Sequence, residues 1–227
     1  MAAKARTDLA CDCGCATPCA GCSVSPRAWL DLRASPFYAA VTAPPARLSP
    51  AWALLVFGDC SPTRVIGLLS GAPLTVSLLG MEPVGSCCDG VPFPAAAAAI
   101  AAPRVRRRVW LEARGARVGY AVSWWSEASV DKFLPAREAP IGDALSASRL
   151  ELHRELVGAA RARGHCGLEE GLFCGDAAGV IGGAGGGDRE LWARWYLMWH
   201  GGAPVCLIHE VFSPVLEEWL GPRAREV

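Results

Sequence analysis

A single carboxylate inside an apolar run limits what this chain can fold into more than any other feature. The run is Val205-Cys206-Leu207-Ile208-His209-Glu210-Val211-Phe212. As a strand it places Cys206, Ile208, Glu210 and Phe212 on one face, because successive side chains alternate. A lone charge on such a face is too costly to bury without a partner. A second predicted strand holds a cation in the same situation: Val105, Arg107, Val109 and Leu111 share a face, and Arg107 is the one charge among aliphatics. An inward arginine and an inward glutamate on one sheet suggest a small pocket for a polar, anionic ligand. The plainer alternative is a salt bridge between Arg107 and Glu210 with no ligand at all.

The chain of 227 residues is long enough for one domain with a substantial core and short for two. Apolar residues make up 52% and charged residues 19%, which excludes a disordered chain. With 22 basic and 22 acidic residues there is no global field for nucleic acid or an anionic membrane, so neither is expected as a partner. The cluster Arg104, Arg106, Arg107, Arg108 is local, and alternation predicts a solvated face for Arg106 and Arg108. No apolar run approaches the roughly 20 residues of a membrane span. The longest candidate, Val91 to Ala102, contains Pro92 and Pro94. The first residues lack the apolar core of a secretory signal, while their Ala and Arg content leaves organelle targeting open.

Eleven cysteines are many for a reducing compartment, but five of them, Cys11, Cys13, Cys15, Cys19 and Cys22, crowd together near the start. An odd total and that crowding argue against a disulfide framework. Thiolates at such spacing could grip zinc or copper(I), yet no histidine stands nearby and no hydrophobic segment wraps them, so no metal is predicted. Residues 1–47 read as a flexible Cys-rich leader and residues 48–227 as the folded domain.

Within that domain, Ser49-Pro50 and Ser61-Pro62 each pair an N-cap residue with a first-turn proline, predicting helices through Phe57 and through Leu69, the second ended by Gly71. A strand follows at 74–79, then a proline-, glycine- and alanine-rich excursion over 80–103. Strands at 105–113 and 117–125 form a hairpin about Arg114-Gly115-Ala116. Leu145, Leu150, Leu152, Leu156 and Val157 have helical spacing, predicting a helix over 143–162. A second hairpin, 191–200 and 203–212, turns at Gly201-Gly202, and a short helix spans 214–220. Hairpin-linked strands imply an antiparallel sheet in an α+β fold. The run Gly182–Gly187 precedes a strand and lacks a following Lys-Ser/Thr, so it is read as a mobile loop and not as a phosphate cradle. His209 falls opposite Glu210 and reads as a surface or packing residue. Trp124, Trp125, Trp192, Trp195 and Trp199 read as core, and Cys206 as a small hydrophobe.

Five segments in one order resemble the chorismate pyruvate-lyase superfamily, in the branch found in photosynthetic bacteria and plastid genomes. They are Gly58-Asp59-Cys60-Ser61-Pro62-Thr63-Arg64, Gly71-Ala72-Pro73-Leu74-Thr75-Val76, the hairpin carrying Arg107-Arg108-Val109-Trp110-Leu111 and Tyr120-Ala121-Val122-Ser123, Pro140-Ile141-Gly142, and Ile208-His209-Glu210-Val211-Phe212-Ser213-Pro214. The resemblance covers about 49 to 221. Cys60 stands where the branch usually has Gly, and Pro62 replaces a larger residue.

The resemblance implies a six-stranded antiparallel sheet with helices on one face and a ligand in a closed pocket beneath helical flaps. It further implies a cofactor-independent lyase that converts chorismate to 4-hydroxybenzoate and pyruvate, supplying quinone or phenolic biosynthesis from the cytoplasm or plastid stroma. By motif match Arg107 and Glu210 are the catalytic pair; Arg107 holds the ring carboxylate and Glu210 faces the ring's other end. Pro62 and Ile141 complete the substrate contacts. The rival reading is a non-enzymatic sensing domain for an aromatic carboxylate, since regulator ligand-binding domains share this fold.

Overall fold

A computed structural model describes residues 39–85, 96, 98–134, 137, 141, 151–163 and 190–223. Helix α1 is Pro50–Phe57 and α2 is Pro62–Ser70, each opened by the serine–proline pair anticipated above. Strands β1 (Ala39–Val41), β2 (Thr75–Gly85), β3 (Arg104–Ala113), β4 (Ala116–Ser126), β5 (His153–Arg163), β6 (Glu190–His200) and β7 (Ala203–Phe212) make one sheet. Helix α3 is Glu127–Phe133, and the final segment is a 3-10 turn, Pro214–Leu216, running into α4, Glu217–Leu220.

The strand order is β1-β5-β6-β7-β4-β3-β2, with every pairing antiparallel. Two three-stranded meanders, β2-β3-β4 and β5-β6-β7, are joined side by side where β4 pairs with β7. Each meander contains a two-residue hairpin whose central residues both have positive φ: Arg114 (51°) and Gly115 (75°), then Gly201 (56°) and Gly202 (76°). That backbone is the one whose twist suits two-residue hairpins.

The α+β class and the antiparallel sheet agree with the sequence expectation, but the described residues hold seven strands instead of six. The seventh is β1, which pairs Ala40 with Ala160 on β5 and lies inside the span read as leader. A larger correction concerns the helix expected over 143–162. Residues 143–150 lie outside the described residues, and 153–162 belong to β5. Its pairing with β6 slips between Leu156 and Gly158, so Val157 is an extra residue. This bulge breaks the period of two and leaves the adjacent apolar pair Leu156 and Val157 exposed, which imitates a helical stripe. Glycine is required at 158: a Cβ there would lie 2.5 Å from Trp195 Cζ2. Similarly, β2 runs past residue 79 because irregularities at Leu78/Gly80 and Pro83/Gly85 hide its alternation. The cysteines at 11–22 and the glycine run at 182–187 lie outside the described residues.

Both faces of the sheet are covered. Helices α1, α2 and α4 pack Trp52, Leu55, Val56, Ile66 and Leu220 against Val109, Leu111, Trp192 and Phe212. Trp52 Nε1 donates to the Gly221 carbonyl at 3.1 Å, tying α1 to the chain beyond α4. Near the other end of that face, α3 packs Val130 and Phe133 beside Trp125, Tyr196, Met198 and Cys206. On the opposite face Trp110, Tyr120, Val122, Trp124, Leu207 and Val211 form a core that includes Ala96 and Ile100. The solvated face expected for Arg106 is therefore absent: Arg106 is buried and its Nε donates to Glu82 at 2.9 Å. Arg108, half-buried, faces the same carboxylate at 3.2 Å. His209 is buried on this face, as packing and not as surface.

Candidate functional site

The register of the sheet determines which side chains meet. Alternation turns Arg107 and Val109 of β3, Ala121 and Ser123 of β4, Ile208 and Glu210 of β7, and Arg194, Tyr196 and Met198 of β6 toward the helices. One rung across the strands reads Arg107, Ser123, Ile208, Tyr196; the next reads Val109, Ala121, Glu210, Arg194. Arg107 and Glu210 are thus two strands and one rung apart, roughly 10 Å across the sheet at about 4.8 Å per strand.

Glu210 is buried, and its partner is Arg194 rather than Arg107. Arg194 Nε donates to Glu210 Oε2 at 2.9 Å, and Tyr196 Oη donates to Oε1 at 3.1 Å. The salt bridge between Arg107 and Glu210 weighed from sequence does not form; the neighbouring strand supplied a nearer cation. Arg194 is only 1% exposed and uses the rest of its guanidinium on backbone. Nη1 donates to the carbonyls of Leu55 (2.8 Å) and Gly58 (2.9 Å), and Nη2 to that of Cys60 (3.2 Å). Its Cζ lies 4.9 Å from the Tyr196 ring centroid. Burial by itself would lower the Arg194 pKa, but the charge and hydrogen bond of Glu210 outweigh it and hold the group above its ordinary value. Burial, reinforced by Glu210, pushes the Tyr196 phenol strongly upward, so it remains a donor.

Arg107, 2% exposed, donates from Nε to the Arg137 carbonyl at 2.8 Å. Burial draws its pKa down to about 10, with Cys206 pulling the other way, so the guanidinium is charged at neutral pH. Cys206 itself is buried, and burial pushes its thiol well above the usual range, which makes it a packing residue.

A hollow lies between these side chains and the helices. Arg107, Glu210, Pro62 and Ile141, the residues singled out from sequence, all line it. Pro62 enters with Ser61 and Thr63 from the start of α2, where Ser61 Oγ and Thr63 Oγ1 are 2.7 Å apart. The remaining walls are mostly apolar, built from Val76, Val109, Leu111, Ala121, Met198 and Ile208, with Ser123, Tyr196 and Arg154 among them. Ser123 Oγ accepts from Trp125 Nε1 at 2.9 Å, which leaves its own proton for a further partner. The hollow measures about 40 Å³. That is well below the ~300–1,000 Å³ of small-ligand sites, so a ring enters only as the elements covering the hollow move apart. Among the described residues no group of three or more His, Cys, Asp or Glu side chains is placed to hold a metal, and no helix is long and apolar enough to cross a membrane.

This arrangement suits a flat apolar ligand with a carboxylate at one end and a hydroxyl at the other. A planar guanidinium can take a carboxylate on two parallel hydrogen bonds. A carboxylate fixed on both oxygens offers an oriented acceptor.

Two charged side chains of this region escaped the sequence reading. Arg194 follows the rule that found Arg107: Trp192, Arg194, Tyr196 and Met198 share a face with a single charge, so the signal was present in the chain. Arg154 also lines the hollow, from β5, and the helix expected there concealed which face it occupies.

Residues 56–220 match the model of a family described as chorismate pyruvate-lyase Rv2949c-like. Proteins named "Uncharacterized protein ycf21" are similar: the one from Cyanophora paradoxa is 25% identical over 73% of this chain and 78% of its own. The one from Pyropia yezoensis is 28% identical over 74% of this chain and 83% of its own. Among solved structures, the effector domain of PhnF from Mycobacterium smegmatis superposes with a TM-score of 0.48 at 12% identity, covering 68% of this chain and 89% of that domain. The possible transcriptional regulator YydK from Bacillus subtilis gives 0.47 at 12% identity over 63% of this chain and 58% of its own.

Proposed function

Because the chain belongs to the Rv2949c-like chorismate pyruvate-lyase family, we propose that it cleaves chorismate to 4-hydroxybenzoate and pyruvate. The observation that carries this reading is that Arg107 and Glu210, two buried charges of opposite sign on different strands, line one apolar hollow without pairing with each other. Arg107 binds the ring carboxylate, which repays the desolvation of both groups through charge-assisted hydrogen bonds. Glu210, held by Arg194 and Tyr196, accepts from the hydroxyl para to that carboxylate. Val109, Ile141, Ile208 and the ring of Pro62 enclose the six-membered ring between them.

The chemistry asks for little more. The ether C–O bond breaks, the ring carbon bearing the hydroxyl loses its proton, and the departing enolpyruvate gains one at its methylene to become pyruvate. No water, metal or redox partner is consumed. Glu210 sits beside the carbon that loses the proton and is the group positioned to receive it. Since aromatisation drives the reaction, fixing the diene ring and its side arm in a reactive shape contributes much of the acceleration. The product is a precursor suited to quinone or phenolic synthesis.

Incubating the purified protein with chorismate tests this directly. Stoichiometric pyruvate and 4-hydroxybenzoate are expected at a rate above spontaneous decay. Tight binding of chorismate or 4-hydroxybenzoate without turnover would overturn the lyase and indicate a sensing domain. A different hydroxybenzoate would overturn the regiochemistry alone.

A further inference from the structure

The pair Arg107 and Glu210 leaves half of the ligand's charge unassigned, because chorismate carries a second carboxylate on its enolpyruvyl arm. We propose that Arg154 grips that carboxylate, and that the protein thereby selects a side-arm-bearing dianion over a simple benzoate; this rests on the chorismate reading given above.

Arg154 stands on β5, the strand beyond β6 as seen from Glu210. Register aligns it with Met198 and Cys206, one rung from the Tyr196–Ile208 rung, on the sheet face that looks at the helices. Counting β3, β4, β7, β6 and β5, it approaches the hollow from the side opposite Arg107, about 19 Å away backbone to backbone over four strand spacings. Two long side chains directed inward from those strands bracket a ligand whose ring spans β3 to β7. The hydroxyl that faces Glu210 is on the ring carbon next to the one bearing the arm, so the arm extends toward β6 and β5. Arg154 is the cation located there.

Its surroundings are those of a ligand group. Arg154 lines the inner hollow and also a wider outer cleft of about 760 Å³ along α2, where Ser61 and Thr63 join it at the boundary. The side chain is half-buried, and its Nε is shielded from solvent with no hydrogen-bond partner among the described residues. A shielded donor of this kind is costly until something fills it, the more so on a charged group. A carboxylate arriving from the inner hollow fills it. The same boundary position gives pyruvate, once released, a route to the outer cleft.

The test compares ligands with and without the arm. In Arg154→Met, KM for chorismate is expected to rise at least tenfold, while the Kd for 4-hydroxybenzoate stays within twofold of wild type; Arg107→Met weakens both. Arg154→Lys, which keeps charge but loses the planar fork, should recover part of the loss. Unchanged 4-hydroxybenzoate binding also shows that the variant is folded, and should Arg154→Met not fold, Arg154→Lys carries the comparison. If wild type releases pyruvate and the variant's KM is unchanged, or if both ligands weaken equally, the role of Arg154 falls and the lyase stands. If wild type binds chorismate without turnover and the variant loses that binding selectively, the lyase falls and Arg154 stands as the second carboxylate site. Binding of neither ligand by wild type sinks both.

Discussion

At the scale of single residues, the centre of the molecule is the contact between Arg194 and Glu210. Breaking a buried ion pair from one side strands the other charge, at a cost of about 3–5 kcal/mol. Arg194→Met should therefore lower stability by that order in urea denaturation, and the double variant with Glu210→Gln should recover much of the loss, because no charge is then left alone. Additive losses would show that Arg194 stabilises through its carbonyl contacts and not through the glutamate. Glu210→Gln alone keeps the shape and one acceptor but cannot take a proton. If Glu210 receives the ring proton, kcat should fall by roughly 100-fold or more with KM little changed. A kcat within about threefold of wild type would reduce Glu210 to an orienting group.

At the scale of elements, strand β5 shows why part of the fold was illegible. Hairpin strands β3–β4 and β6–β7 keep one register except near their turns, at Leu111/Glu112 and Met198/Trp199, and announce those turns with Gly115 and Gly201-Gly202, so most of their length could be read residue by residue. β5 carries a bulge, and its apolar residues on either side of that bulge fall at helix-like intervals; periodicity cannot distinguish the two without the partner strand. β1 is only three residues long, too short for any periodicity. The same bulge yields a prediction. Gly158→Ala would press a methyl against the Trp195 ring, which is packed against its neighbours. A loss of about 1–3 kcal/mol is expected by thermal or chemical denaturation. Trimming the ring in the double variant Gly158→Ala/Trp195→Phe should offset part of it, whereas a silent Gly158→Ala would mean that β5 shifts freely.

At the scale of the whole molecule, the site was more legible than the architecture that holds it. Arg107 and Glu210 were found by a rule about isolated charges on apolar faces, and that rule needs no topology. Their separation, and the identity of the group each one touches, depend on strand order, which joins β4 to β7 across more than eighty residues of sequence. The folded state should accordingly report ligand. With 4-hydroxybenzoate at about 100 times Kd, mass action adds roughly 2.7 kcal/mol of stability. Wild type is expected to show the corresponding rise in Tm, and Arg107→Ala to show little at the same concentration. An equal rise in both would place the ligand away from Arg107.

The three carbonyls held by Arg194 run from the last turn of α1 into the corner before α2. A roof riveted to the floor at that corner cannot lift there without releasing the guanidinium and, with it, the grip on Glu210. Any opening that admits a molecule must swing about this point from the far end of α2, past Gly71, so that the doorway widens while the innermost carboxylate keeps its aim.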